Sequence, residues 1–300
     1  MLFCLTVNSR TPYGCAMTTA TARGAEALNP DRVICSTITL RHLPLEDALE
    51  TIAGLGFTEI DLGALPGVCN HVPYELTTDA VREVAEVVNR SGLSVRSVNA
   101  DVGDLNRPLD ADEAAARSEH VQRLIELCQA VGSTGLVLPN GAQQHEPIVS
   151  LDEDLALVAD QLNGIQRECA AAGLELWVEA PHFFRLCYNL ERADALTRLL
   201  NSDIGLICDV SHIVASGSTP RQFVDDVPDR IRHVHLRDAE AGYIHHSIGN
   251  GQVDFADTAS ALTEIGYTGK FSLELETRDV ENDDRPQAAL KAGRYFSSLV

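Results

Sequence analysis

The 300-residue sequence predicts a single closed (β/α)8 barrel, on three observations. Strand-like and helix-like segments alternate from residue 31 to the end of the chain. They amount to eight βα units at a mean spacing of about 34 residues, and such alternation makes a parallel sheet with right-handed crossovers. The first strand is followed by "RHLPLED", which has no glycine. An open doubly wound sheet would be expected to carry a Gly-rich phosphate loop there. Finally, four consecutive strands end in acids or histidines, as suits a fold whose chemistry sits at the carboxyl ends of its strands.

The elements follow in order. "RVICSTITL" reads as the first strand, and "LEDALETIAGLGF" as a helix burying Leu45, Ala48, Leu49 and Ile52. "TEIDLG" is the second strand, and "TTDAVREVAEVVNRSG" a helix striped by Val81, Val84, Ala85 and Val88. "LSVRSVNADV" precedes a helix packed through Val121, Leu124, Ile125 and Cys128. "TGLVLPNG" and "LELWVEAPH" are strands four and five, with "LDEDLALVADQLNGIQRECAAAG" between them. "ERADALTRLLN" leads to strand six, "GLICD". "TPRQFVDDV", with an early proline, is a short helix. "IRHVHLRD" and "KFSLELET" are strands seven and eight, separated by the helix "FADTASALTEIG", and "RPQAALKAGRYFSSLV" closes the barrel. Residues 1–30 lack such patterning. They are expected to be a disordered N-terminal extension to the 31–300 barrel, with either Met1 or Met17 as the start.

Composition narrows the function classes. The chain is 45% hydrophobic and 22% charged, with a formal net charge of −21. Nucleic-acid phosphates need a basic surface, so nucleic acid is not expected as a partner. No apolar run reaches the ~18 residues of a membrane span. The eight cysteines form no CxxC pair and read as reduced thiols of a cytoplasmic protein. The expected partner is a small molecule, with a homo-oligomer left open.

The strand ends carry the functional signal. Strand five ends on Glu179, six on Asp209 with His212 in the loop beyond, seven carries His233 and His235, and eight carries Glu274 and Glu276. Side chains alternate faces with period two. Leu273 and Leu275, Val234 and Leu236, and Leu176 and Val178 suit the helical shell. Glu274 and Glu276, His233 and His235, and Glu175, Trp177 and Glu179 then point inward. A buried unpaired charge costs several kcal/mol. Converging carboxylates therefore call for a divalent cation, with Glu179, Asp209, His235 and Glu274 as the candidate ligands. Oxygen-rich ligation with one imidazole favours Mn²⁺ or Mg²⁺, with Co²⁺ or Zn²⁺ as alternatives. Singly, each residue has a plainer role: a strand-end Asp caps the next helix, a strand His is a satisfied core group, and Glu276 pairs with a barrel-mouth arginine. Asn99, Asp101, Asn140, His71, His145 and His182, at strand ends and in loops, are candidate substrate contacts.

"VEAPH", "CDVSH", "HVHLRD", "SIGNGQVDF" and "GYTGKFSLELE" together resemble the xylose-isomerase-like barrels, the sugar phosphate isomerase/epimerase group. The resemblance runs over about residues 32 to 280 and keeps the motif order. It implies that Glu179, Asp209, His235 and Glu274 ligate a metal, that Glu179 and Glu274 flank the reacting carbon, and that His212 binds a substrate oxygen. The activity it implies is metal-dependent isomerisation or epimerisation of a keto-sugar or polyol, by proton abstraction beside a carbonyl. Alternatives are a lyase (inosose or dehydroshikimate dehydratase-like, or C-glycoside-cleaving) and an apurinic endonuclease-like phosphodiesterase, which the charge of −21 disfavours. A sugar-binding barrel without catalysis is a further reading, which the intact Glu179 and Glu274 oppose. Two positions depart from the ketose-epimerase pattern. Ala241 stands where those enzymes place a substrate-binding arginine, and Arg185 where a glutamate is frequent. A basic Arg185 suits a substrate carboxylate or phosphate, or equally a surface or inter-loop salt bridge.

Overall fold

In the computed structural model, which describes residues 27–300, eight parallel strands close into a barrel. They are β1 (Val33–Ser36), β2 (Glu59–Ala64), β3 (Ser94–Ala100), β4 (Gly135–Pro139), β5 (Glu175–Glu179), β6 (Gly205–Asp209), β7 (Ile231–Leu236) and, after the β8–β9 hairpin (Asp238–Glu240 and Tyr243–His246), β10 (Phe271–Leu273). The helical shell is α1 (Leu45–Gly54), α2 (Thr78–Ser91), α3 (Ala111–Ala130), α4 (Leu151–Ala171), α5 (Leu190–Thr197), α6 (Val210–Ala215), α7 (Pro220–Asp226), α8 (Phe255–Glu264) and α9 (Arg285–Ser297). The fold is the expected single (β/α)8 barrel. The extension and start-site expectations for residues 1–26 lie outside the described residues. Leu28 packs on the core and the Asn29 backbone N–H donates to Ser297 Oγ at 2.9 Å.

Helix starts follow from local chemistry. Thr77, Asp110, Ser150 and Asn189 each accept a backbone N–H in the first turn of α2, α3, α4 and α5. Pro220 opens α7 behind a Thr219/Gln222 capping box.

Two layers of residues fill the barrel. The helix-facing layer is a continuous apolar core. Inside, Val137, Trp177 and Ile207 form a separate cluster. Gly135 and Gly205 make room for the indole: a Cβ would fall 2.8 Å from the Trp177 ring at Gly135, and 2.7 Å from it at Gly205.

Two register shifts interrupt the regular ladder. Between β2 and β3, Ile60 pairs with Val95 but Asp61 pairs with Ser97. Between β6 and β7, Leu206 pairs with Ile231 but Ile207 pairs with His233. An arginine, Arg96 or Arg232, is skipped each time. The shift resets the alternation, so Val95 and Ile231 join the helix-facing core while His233 lies inside against Trp177.

Four elements differ from the sequence expectation, one of them α6, which stands where a loop was expected. The run "TITL" curls into a 3-10 turn (Thr37–Leu40) because Ser36 Oγ accepts the Ile38 N–H at 3.3 Å. The last strand ends at Leu273, and beyond it the Thr39 hydroxyl takes up the Leu275 N–H at 2.9 Å. The β8–β9 hairpin was not expected; its signal is Gly242, at φ 81°, between "DAE" and "YIHH".

Candidate active site at the barrel mouth

Glu179, Asp209, His235 and Glu274 converge at the carboxyl ends of β5, β6, β7 and β10, all buried. The β6–β7 shift sets Asp209 directly beside His235. His235 Nδ1 lies 3.5 Å from Glu274 Oε2 and 3.9 Å from Asp209 Oδ2. Donor atoms of Glu179, Asp209 and His235 all fall within 4.8 Å of one another. Donors around an ion at ~2.1 Å stand roughly 3–3.5 Å apart, so little adjustment separates this cluster from a coordination sphere.

Asp209 is both a cap and a candidate ligand. Its Oδ1 accepts the N–H groups of Ser211 (2.8 Å) and His212 (3.0 Å) and the Ser211 hydroxyl (2.6 Å) at the start of α6. His212 therefore sits on a helix and not in a loop. Asp209 Oδ2 is buried without a hydrogen-bond partner, as are Glu179 Oε1 and both ring nitrogens of His235. A buried polar atom left unpaired costs about 1–3 kcal/mol. Several of them aimed into one volume fit a divalent cation there.

The charges perturb one another strongly. Burial pushes the Glu179 carboxyl well above the usual range, and the Asp209 and Glu274 carboxylates add to the effect. Burial raises Glu274 to about 7, with His235 and Arg237 pulling the other way. For His235 burial opposes protonation, yet Glu274, Asp61 and Glu179 overcome it and hold the ring at about 10.

Around this cluster lies a cavity of about 230 Å³ whose walls include Asn99, His182, Arg185, His212, Arg237 and His245. His212 Nδ1 accepts the Phe183 N–H at 2.9 Å, which leaves the proton on Nε2, 3.3 Å from Glu179 Oε1. His182 stacks on His212 with ring centroids 4.0 Å apart, and its Nδ1 accepts the Phe184 N–H at 3.3 Å. Burial drives both imidazoles well below their ordinary value, reinforced at His182 by His212 and at His212 by Arg237. Burial thus favours the neutral form of both rings. Asn99 Nδ2 donates to Glu274 Oε1 at 3.0 Å and leaves Oε2 facing His235.

Other expected contacts are engaged with protein partners. Arg185, in the cavity wall, pairs with Asp101, in line with the inter-loop salt bridge that is its alternative reading, and donates to the Gly141 carbonyl at 2.6 Å. Asn140 spends its amide on the Glu179 carbonyl (2.7 Å) and the Cys187 N–H (2.7 Å), which fixes the end of β5. His71 lies between Leu43 O (3.0 Å) and Cys69 Sγ (3.2 Å), outside the cavity wall. His145 faces the Phe183 carbonyl at 2.6 Å and stacks on Tyr188.

Sequence reasoning missed three groups. Arg237 is 2% exposed; it donates to Ser211 Oγ at 3.1 Å and to Glu276 Oε2 at 3.3 Å, and lies 3.8 Å from Asp209 Oδ2. Glu276 also pairs with Arg41 at 2.6 Å, in line with the arginine partnership expected for it. His245 arrives on the unexpected hairpin, its Nδ1 2.9 Å from the Glu276 carbonyl. Asp61, on β2, is fully buried beside His235. Its signal was available, since "EIDLG" puts a carboxylate inside an apolar strand.

A family model described as a xylose isomerase-like TIM barrel matches residues 49–299. The chain belongs to this family. Among curated relatives, inosose dehydratase of Lacticaseibacillus casei is 29% identical over 126 residues, which is 36% of this chain and 42% of that protein. The chain thus spans less than half the length of that relative. Among solved structures, the IOLI protein with a bound zinc atom superposes with a TM-score of 0.72 at 19% identity, covering 89% of this chain and 98% of that one. The 3-keto-D-glucoside 4-epimerase YcjR from E. coli gives 0.70 at 18% identity, covering 89% and 99%. At those identities the likeness is one of fold. Among the described residues no helix is long and apolar enough to cross a membrane.

Proposed function

We propose that this protein is a divalent-metal-dependent enzyme that abstracts a proton next to the carbonyl of a small polyhydroxylated ketone, a keto-sugar or keto-polyol, and completes an epimerisation or isomerisation. The observation that carries the reading is the pair of buried carboxylates, Glu179 and Glu274, flanking Asp209 and His235 with unpartnered atoms turned inward. Glu179, Asp209, His235 and Glu274 would hold the ion, with Mn²⁺ or Mg²⁺ favoured by the oxygen-rich set and Zn²⁺ or Co²⁺ as alternatives. When bound, the ion neutralises the carboxylates and polarises the carbonyl.

The chain's own groups do the rest. β6 and β7 separate the two glutamates in the barrel order, and both line the same cavity, where a substrate carbon would lie between them. One glutamate takes the α-proton as general base. The other returns a proton to the same carbon for epimerisation; return to the neighbouring carbon gives isomerisation. Asn99 orients Glu274, and His212 presents an N–H beside Glu179 for a substrate oxygen. The small cavity suits a monosaccharide-sized ligand and a water-poor site.

A second reading is a lyase, in which the β-hydroxyl departs after the same first step. It is favoured by the curated relative named inosose dehydratase and by Arg237 Nη2, 3.5 Å from His212 Nε2, as a donor pair for a departing oxygen. Incubation with keto-sugars and keto-inositols in deuterated water, with Mn²⁺, Mg²⁺, Co²⁺ or Zn²⁺ added, tests both. Deuterium at the carbon beside the carbonyl with mass otherwise conserved supports the first reading, and an absorbing enone the second. Glu179→Gln and Glu274→Gln should each slow exchange by about 10²–10⁴-fold. Undiminished turnover after exhaustive chelation would sink the metal-dependent mechanism.

A further inference from the structure

Resting on the ion site just proposed, we infer that Asp61 is the residue that sets the tautomer of His235. It would hold the ring proton on Nε2 so that Nδ1 alone faces the ion. Asp61 Oδ2 lies 3.1 Å from His235 Nε2 at full burial of both side chains. Neither atom has an aligned hydrogen-bond partner among the described residues, so each is the other's nearest candidate. The opposite ring atom, Nδ1, faces Glu274 Oε2 at 3.5 Å and Asp209 Oδ2 at 3.9 Å. The imidazole thus stands between one carboxylate on the β2 side and the carboxylate cluster on the other.

Asp61 is itself fixed. Its Oδ1 accepts the Ser97 hydroxyl at 2.7 Å, and Ser97 is its register partner only because the β2–β3 ladder skips Arg96. A carboxylate on the far nitrogen of a metal-bound histidine fixes ring orientation and raises ligand basicity, and its loss costs typically 10–100-fold in metal affinity. His233 lies next to the His235 ring on the same strand. It lies at 89° to the His235 ring with centroids 5.1 Å apart, and it stacks on Trp177, 28° from coplanar. Donor atoms of Asp61, His233 and His235 also lie within 4.8 Å of one another, so an ion there is the competing arrangement that the experiment must separate.

The experiment uses the full chain and Zn²⁺ as the probe. Long-range ¹H–¹⁵N spectra of the histidine rings, with His235 assigned from the resonances lost in His235→Gln, report which nitrogen carries the ion and which the proton. Chelator competition reports affinity. In the wild type, zinc should sit on Nδ1 with Nε2 protonated. Asp61→Ala should lose about 10–100-fold in zinc affinity and lose that single tautomer. Asp61→Asn, which keeps an accepting oxygen, should recover the tautomer and part of the affinity, and it serves if the alanine variant does not fold. A merely structural Asp61 would lower thermal stability and leave the His235 spectrum unchanged. Zinc on Nε2 in the wild type, or Asp61→Ala and Asp61→Asn both within twofold of wild-type affinity, overturns the proposal alone. A wild-type chain that takes up no zinc overturns it together with the ion site.

Discussion

The two oxygens of Asp209 separate a structural from a chemical role within one side chain. Oδ1 is consumed by the first turn of α6, and Oδ2 is left unpartnered. Asp209→Asn keeps a capping oxygen and removes the charge. It should leave the ion-free melting temperature near wild type while zinc affinity falls at least about 10–100-fold. Asp209→Ala should add a stability loss of ~1 kcal/mol for the missing cap. Chemical denaturation in chelator and zinc titration of both variants check the pair. The perturbed carboxyl and imidazole groups make a second prediction. In the ion-free chain Glu274 sits at about 7 and His235 at about 10, both above their ordinary values. Groups raised in the folded state stabilise it at low pH, and that contribution is lost as pH climbs through the folded value. Ion-free stability should therefore fall as pH rises through about 7 and on toward 10. Ion affinity should climb over the same window, with protons released on binding. Calorimetry in buffers of different ionisation enthalpy measures those protons.

The strands and helices were legible in the sequence wherever hydrophobic period and caps agree, as in α2, where Val81, Val84, Ala85 and Val88 form the buried stripe behind Thr77. Legibility failed where a side chain redirects the backbone. Ser36 turns a β-branched run into a 3-10 turn, and Asp209 converts an expected loop into α6. Glu179, His235 and Glu274 were legible because parity puts Leu and Val on the opposite face, and Asp209 because it follows the apolar run "GLIC". Asp61 and Arg237 were passed over for an opposite reason: their importance lies in partners distant along the chain, His235 for the one and Ser211 with Glu276 for the other. His245 depended on the hairpin, and Arg185 changed meaning once Asp101 was found beside it. At this scale the close approach of strands to Trp177 is also testable. Gly135→Ala brings a methyl within 2.8 Å of the indole, and overpacking of a tight interior costs about 1–3 kcal/mol. Urea unfolding should show that loss with no change in α-helical content before the transition.

For the whole molecule, the ion would act as a cross-link. Its candidate ligands come from β5, β6, β7 and the end of β10, contiguous in the closed barrel. Anything that binds only the folded chain stabilises it by mass action, about 4.1 kcal/mol at a thousand times the dissociation constant. Chelation should thus lower the melting temperature by several degrees, and readdition of Mn²⁺ or Zn²⁺ should restore it, as read by scanning calorimetry. The surplus of acids, a net charge of −21, is compatible with this because the inward carboxylates are those an ion would neutralise.

The two skipped arginines set off the first residues of β3 and β7 from the longer upper parts, and the two parts obey opposite rules. Below Arg96 and Arg232, the odd-numbered Val95 and Ile231 serve the helical shell; above them, the odd-numbered Ser97, Asn99, His233 and His235 serve the interior. The barrel's hydrocarbon and its chemistry are therefore written on the same strands in different phases. The seam between them lets the base of each strand drift toward other apolar residues without disturbing the donors above it.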